Sequence, residues 1–373
     1  MKNLLTPITL GKLNLKNRFI LAPMTRMRGE LDGTPTDIMA EYFSQRSSFG
    51  LIVTEASFIN PYANTYPGNG ALFNGKHLEA WKRVVEKVHQ SGGKISIQLY
   101  HVGRSGNKAI LGADSVAPSP IAINGIDFLT QKPYETPKEL TKSQIQQILE
   151  EFHNSAVLAK QAGFDGVQLH GANGYLVDQF LRDGTNQRKD EYGGSVENRS
   201  RFLLEAVDRL IDGFSAENVS VRVSPTDRFS DMYDSNPLQL LSYLLPQLDK
   251  KGLQFVEVKR HGPVDPKKEK PGRQLPDYQI PNFYETLRPL LKKTPFVGNT
   301  GISVDEGTKL VQQGTLDAVA FGYLGICNPD LPVRIQNNYP LNLNADPTTF
   351  YTGGARGYTD YPAFSQENRQ QAV

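Results

Sequence analysis

Three polar residues fall close together in Val167-Gln168-Leu169-His170-Gly171-Ala172-Asn173-Gly174-Tyr175. A neutral imidazole N–H on His170 and the amide N–H₂ of Asn173 are donors that can meet on one ligand oxygen. The phenol of Tyr175 can hand a proton to a neighbouring atom. Two glycines in the same stretch allow close approach of backbone and ligand. The plainer alternative is a buried histidine and tyrosine satisfied by their neighbours.

A second group is glycine-based. Gly298-Asn299-Thr300-Gly301 precedes a helical pattern, and Gly322 opens another loop. Backbone N–H groups at such loops and a following helix N-terminus suit a phosphate, although glycines also serve tight turns. No GxGxxG or GxxxxGK[ST] pattern occurs, which excludes the usual dinucleotide fingerprint and the P-loop. There is no HExxH, His101 and His170 lack an obvious third ligand, and no GxSxG elbow is present. Neither a metal site nor a serine hydrolase is therefore expected. The polar run from Asn186 to Arg199 alternates Arg, Asp and Glu around two glycines and Ser195. It reads as a network that holds its loop beside the site.

Eight short apolar runs must position these groups: Phe19–Pro23, Leu51–Ala56, Ile95–Tyr100, Gly166–His170, Val219–Ser224, Phe255–Lys259, Pro295–Val297 and Ala318–Phe321. Nearly continuous apolar strands are the mark of sheets covered on both faces. Stripes of 3.6-residue period predict helices over Leu78–His89, Thr141–Gln161, Val196–Ile211 and Asp305–Gln313. Thr141 is the expected N-cap of the second, and Ser303 with Glu306 an expected capping box for the last.

Eight strands alternating with helices predict a (β/α)8 barrel in one domain spanning residues 1–362, with an open doubly wound sheet as the alternative. The loops are decorated: Ser115–Pro137 reads as a hairpin or long surface loop, and the C-terminal segment as irregular chain packed on the barrel. Residues 363–373 read as a polar tail. In a barrel, ligands bind where strands end, which brings Thr25, Glu55, Gln98, His170, Arg222, Gly298–Gly301 and Gly322 to one rim.

Composition narrows the partners. With 41 Lys and Arg against 39 Asp and Glu, the net charge of +2 predicts no recruitment of nucleic acid or an anionic membrane. The basic run Lys267-Lys268-Glu269-Lys270 reads as a solvated loop. A single cysteine rules out an intrachain disulfide and fits a reducing, cytoplasmic compartment. No membrane-length apolar run or secretory h-region is evident, and nothing calls for an obligate protein partner.

Taken together, these motifs resemble the Old Yellow Enzyme family of flavin-dependent ene-reductases, from about Leu4 to Pro362. The resemblance is carried by Ala22-Pro23-Met24-Thr25-Arg26, by Gln98-Leu99-Tyr100-His101-Val102-Gly103-Arg104, by His170 to Leu176 and by Asn186 to Arg199. Asn328-Pro329-Asp330-Leu331 and Gly357-Tyr358-Thr359-Asp360-Tyr361-Pro362 add to it.

The resemblance implies a TIM barrel holding non-covalent FMN at the C-terminal rim, with NAD(P)H as electron donor. Pro23, Met24 and Thr25 would run along the flavin ring, with Ala56 a further contact. Gln98 would bond the pyrimidine edge and Arg222 would sit beside N1. Gly298, Asn299, Gly301, Gly322 and Tyr323 would surround the phosphate. His170 and Asn173 would grip the oxygen of an electron-poor alkene or nitro substrate, Tyr175 would supply the proton, and Tyr100 and Tyr351 would line the substrate pocket. The implied reaction is reduction of an activated C=C bond in a ping-pong cycle. The alternatives are nitroester or nitroaromatic reduction at the same site, and a barrel that has lost its cofactor and only binds.

Two departures stand out. Most relatives follow the eighth strand with Gly-Arg, the guanidinium lying on the phosphate, whereas this chain has Gly322-Tyr323. A phenol donates one hydrogen bond and carries no charge. Val258-Lys259-Arg260-His261 after strand six also falls where relatives vary, leaving pocket shape open.

Overall fold

Each apolar run becomes a strand of one closed parallel barrel. In chain order these are β1 (Phe19–Leu21), β2 (Leu51–Phe58), β3 (Ile95–Tyr100), β4 (Gly166–Gly171), β5 (Val219–Val223), β6 (Phe255–Lys259), β7 (Phe296–Asn299) and β8 (Ala318–Phe321). β8 closes on β1 through Val319↔Phe19 and Phe321↔Leu21, which excludes the open sheet. The computed structural model describes residues 3–261, 267, 269–275 and 279–364.

The strands alternate with α1 (Asp37–Gln45), α2 (Gly75–Gln90), α3 (Lys142–Gln161), α4 (Val196–Gly213), α5 (Pro237–Asp249), α6 (Phe283–Leu287), α7 (Val304–Gln312) and α8 (Leu331–Gln336). Thr141 caps α3 in a complete capping box with Gln144. The box expected on α7 is half formed. Ser303 accepts the Glu306 N–H at 3.1 Å, but the Glu306 carboxylate is drawn away by the Arg260 guanidinium at 2.8 and 2.9 Å. A bidentate charged pair outcompetes a single backbone donor.

Two cores result. Strand residues facing outward pack with Trp81, Phe152, Leu203 and Leu244 of the helices. Inside the barrel, Ile20, Val53, Phe255 and Val297 meet Leu10 and Leu15. The last two belong to an antiparallel hairpin, Ile8–Leu10 with Leu13–Leu15, which plugs the end of the barrel opposite the site. Strands of three residues leave too little alternation to be seen in sequence.

The Ser115–Pro137 excursion is tied down by parallel pairing of Val116–Ala117 with Lys138–Glu139 and by an antiparallel bridge from Ile126 to Pro133. The C-terminal segment lies on the barrel as expected, and the β1 loop holds it. Arg26 donates to Gly357 O at 2.6 Å, and Arg28 to Thr349 O at 2.8 Å and Phe350 O at 2.9 Å. Phe364 stacks on Tyr339 at 4.0 Å, and the rest of the polar tail, 365–373, lies outside the described residues. Within the basic run, Glu269 pairs with Arg228 and Lys270 with Asp231, both at 2.9 Å, and Lys268 lies outside the described residues. Among the described residues, no helix is long and apolar enough to cross a membrane.

Candidate active site

Strand register sets the site. Ala56, Gln98 and Gln168 are neighbours across β2, β3 and β4, and His170, Arg222 and Glu257 across β4, β5 and β6. Their buried polar groups form a continuous floor. Gln98 Nε2 donates to Gln168 Oε1 at 2.7 Å, Gln168 Nε2 to Glu257 Oε2 at 3.0 Å, and Asn299 Nδ2 to Glu257 Oε1 at 2.5 Å. Arg222 Nε lies 3.3 Å from Glu257 Oε1, and its Nη1 donates to Pro23 O at 3.4 Å. Buried polar atoms must be paired, and here the pairing turns five strands into one platform.

Above the floor lies a cavity of about 650 Å³. Its wall brings together Pro23, Met24, Thr25, Ala56, Gln98 and Arg222 with His170, Asn173, Tyr175, Tyr351, Gly322 and Tyr323. Four of the expected residues do not line it. Tyr100 is fully buried behind Tyr175, ring centroids 5.1 Å apart. Its hydroxyl donates to Asn64 Oδ1 at 2.6 Å and accepts from Asn69 Nδ2 at 3.2 Å, so it backs the wall rather than forming it. Asn299 is taken into the floor. A Cβ on Gly298 would stand 2.4 Å from Leu316, so that position faces the helix layer and no side chain fits. Gly301 lies on the rim loop, with φ +66 and Arg260 beside it.

His170 and Asn173 are held ready but uncommitted. Burial first, then Arg222 and Lys259, push the His170 pKa well below its usual value, which leaves a neutral ring. Among the described residues no partner reaches His170 Nδ1 or Asn173 Oδ1, although both are buried. Asn173 takes a left-handed φ of +58, a conformation that Asn tolerates, and its N–H donates to Ser224 Oγ at 2.8 Å. The short helix Leu176–Leu181 clamps this turn, with Asp178 accepting Gly174 N–H at 2.9 Å and Gln179 donating to Gly174 O at 2.7 Å. The Asn186–Arg199 segment braces that helix in turn. Asn186 reaches Phe180 O at 2.7 Å, Arg188 pairs with Asp190 and Arg199 with Asp234, both at 2.6 Å.

The Tyr175 ring packs edge-on against His170 at 5.1 Å, and burial pushes its pKa up, so it stays a protonated phenol. On β2 a bulge between Val53 and Ala56 re-aims Glu55, which accepts the Arg26 N–H at 2.7 Å. Glu55 therefore anchors the Pro23–Thr25 loop from behind. Burial raises its pKa to about 7.

At the glycine loops the donors are backbone. Arg260 grips Thr300 O at 2.9 Å and Gly301 O at 2.5 Å. Because the peptide unit is planar and trans, the N–H groups of Gly301 and Ile302 then face away from Arg260. Among the described residues no acceptor takes these N–H groups or those of Gly322 and Tyr323. The Tyr323 side chain is 48% exposed, and its hydroxyl is directed to Leu343 O and Ala345 O at 3.2 and 3.4 Å.

Several wall residues escaped sequence reasoning: Tyr66, Phe128, Phe229 and Phe350. They stand on loops with no periodicity to place them. Lys259, from the segment after strand six that leaves pocket shape open, does line the wall, and it pairs with Asp227.

This arrangement fits FMN. An apolar wall of Pro23, Met24 and Ala56, the buried guanidinium of Arg222, a polar edge at Gln98 and backbone N–H groups with no acceptor among the described residues are what a flat polar ring bearing a phosphate requires. The comparisons agree. Residues 3–342 match the NADH:flavin oxidoreductase / NADH oxidase family. A probable flavin mononucleotide-dependent alkene reductase of Leishmania infantum is 37% identical over 370 residues, covering 96% of this chain and 97% of that protein. The structure of an old yellow enzyme homologue from Zymomonas mobilis superimposes with a TM-score of 0.90 at 36% identity, covering 97% of this chain and 100% of that one. Morphinone reductase in complex with tetrahydroNAD gives 0.87 at 37% identity, covering 98% of each chain. The chain belongs to the Old Yellow Enzyme family of FMN-dependent NAD(P)H:flavin oxidoreductases.

Proposed function

We propose that this protein reduces the activated C=C bond of α,β-unsaturated carbonyl or nitro compounds with NAD(P)H, the two substrates using one cavity in turn. The observation that carries this reading is the convergence of uncommitted polar groups on His170 and Asn173 with the buried phenol of Tyr175. Pro23, Met24, Thr25, Ala56, Gln98 and Arg222 would hold the FMN ring, and the N–H groups of Gly301, Ile302, Gly322 and Tyr323 its phosphate. FMN, when bound, supplies the hydride.

His170 and Asn173 hold the activating oxygen and stabilise the negative charge that grows on it. One such donor in a dry site is worth about 3 kcal/mol of barrier. A neutral His170 can do this, because one ring nitrogen keeps its N–H and donates it. Tyr175 delivers its proton to the carbon next to the activating group. Tyr351, on the rim, contacts the rest of the substrate. The single cysteine accords with a reducing, cytoplasmic setting.

Anaerobic titration tests this reading. FMN-loaded protein should bleach with NADH or NADPH and recover on addition of an enone, and initial-rate plots should be parallel. Protein that neither binds nor reduces FMN in excess would end the proposal. Nitroesters and nitroaromatics present the same oxygen to His170 and Asn173. Product analysis with matched enones and nitro compounds separates the two reactions.

A further inference from the structure

We infer that Tyr66 is a second phenol in the proton path, returning to Tyr175 the proton that Tyr175 gives to the substrate. The inference rests on the reading of Tyr175 as proton donor and extends it to the step that resets the donor. A tyrosinate left at position 175 would sit in a site only 7% exposed. An uncompensated charge there is costly, so a replacement proton must arrive as the first one leaves.

The geometry names the source. Tyr175 Oη lies 3.1 Å from Tyr66 Oη, and a hydroxyl both donates and accepts, so the bond can run either way. Burial raises the Tyr175 pKa, and the hydrogen bond to Tyr66 is the side-chain contact that opposes it. The other phenol touching Tyr175 is engaged elsewhere: Tyr100 donates to Asn64 and accepts from Asn69. The same Asn64 fixes Tyr66, accepting its N–H at 3.0 Å and donating to its carbonyl at 2.9 Å. One amide thus sets both the closed phenol and the open one.

Tyr66 is itself only 8% exposed and burial raises its own pKa, so its proton too must be replaced as it leaves, from the rim that its ring adjoins. Its ring stacks on Phe128 at 6.0 Å, Phe128 packs against Tyr351 at 5.9 Å, and these two rim rings are 49% and 50% exposed. The proton count closes. One proton passes from Tyr175 Oη to the substrate carbon, one from Tyr66 Oη to Tyr175 Oη, and one from water at the mouth to Tyr66, leaving hydroxide in bulk solvent. The substrate gains a hydride and a proton, and neither tyrosine changes oxidation state.

The test measures both half-reactions of the FMN-loaded full chain by rapid mixing. Tyr66→Phe should slow alkene reduction about tenfold and leave flavin reduction by nicotinamide within about twofold. In a Tyr175→Phe background the same change should have no further effect, because a relay without its receiver does nothing. Tyr66→His, which keeps a proton-carrying group, should recover part of the rate. Equal losses in both half-reactions, no loss in either, or an additive loss in the double variant would overturn the relay. Wild-type protein unable to reduce any alkene would instead remove the broader reading. Impaired Tyr175→Phe beside unimpaired Tyr66→Phe removes Tyr66 alone.

Discussion

At the His170 end of the cavity, side chains stand without partners among the described residues. His170 Nδ1 and Asn173 Oδ1 are buried and unbonded, and the turn that carries them is clamped from below by Asp178 and Gln179. At the glycine loops the situation is reversed. The cation nearest the β7 loop, Arg260, is committed to two carbonyls and to Glu306, and what stays uncommitted is backbone N–H. The contrast teaches where substitution is tolerated. A donor built from a side chain is lost with one mutation, whereas a donor built from backbone survives any residue that keeps the loop's shape. On this reading Tyr323 can stand where the family resemblance leads one to expect Arg, because the N–H groups around it do not depend on that side chain.

Removing a side chain beside His170 should have the largest effect. Tyr175→Phe should slow the alkene half-reaction by about 10²- to 10³-fold while nicotinamide still reduces the flavin at close to the normal rate. Equal losses in the two half-reactions would show that Tyr175 supports the cavity rather than the chemistry. His170→Ala should cost about 10²-fold in the same half-reaction, the worth of one oxyanion donor. Binding of a phenol or enone as a dead-end ligand to the oxidised protein should weaken in parallel. Unchanged ligand affinity would place the activating oxygen elsewhere.

A third expectation concerns pH. Burial holds His170 well below 6.5 and His101 at about 3, so both are neutral in the fold. The unfolded chain takes up these protons first as pH falls. Their contribution to stability is therefore intact above about pH 6.5 and is lost progressively below it. For His101 the loss continues down to about pH 3. Each such histidine raises the unfolding constant by up to about tenfold per pH unit in that window. Melting curves should fall more steeply below pH 6.5 for wild type than for His101→Gln, in which the amide oxygen can still accept the Gly103 N–H. Identical slopes would mean that His101 is not held neutral.

The two regions also differ in how readily a sequence discloses them. All eight strands could be read from apolar runs, because a barrel strand is buried on both faces and its composition says so. The Thr141 cap was legible for a similar reason: a hydroxyl must meet an orphan N–H. His170, Asn173 and Tyr175 were legible by their spacing at a strand end. Tyr66 and Phe128 were not, since their place depends on how two long loops fold over the rim. Glu257 and Gln168 hid inside strands, where one polar residue among Val and Leu looks like an interruption and is in fact half of the floor. The Ser303 cap formed, and only the Glu306 half of its box failed, for a tertiary reason: Arg260 follows a distant strand and nothing local announces it.

The smallest expected effect sharpens the other side of the contrast. Tyr323→Arg restores a cation where the phosphate of FMN would lie, beside N–H groups that already have no partner. A charge-assisted hydrogen bond contributes about 1.5 kcal/mol, or roughly tenfold in affinity. Because position 323 is 48% exposed, solvent screening should reduce the gain to about fivefold. Titration by flavin fluorescence should therefore show tighter FMN and unchanged riboflavin, which has no phosphate to meet the new charge. The Tyr323 hydroxyl now bonds Leu343 O and Ala345 O, so its loss also frees two carbonyls, and a small drop in melting temperature should accompany the gain. Equal tightening of FMN and riboflavin would show that the new side chain meets the ring instead. Affinity unchanged for both would mean that the backbone donors lie too far from Tyr323 to share one phosphate with it. The cradle would then depend on the β7 loop alone, and Arg260, by fixing that loop's carbonyls, would be the side chain that governs it.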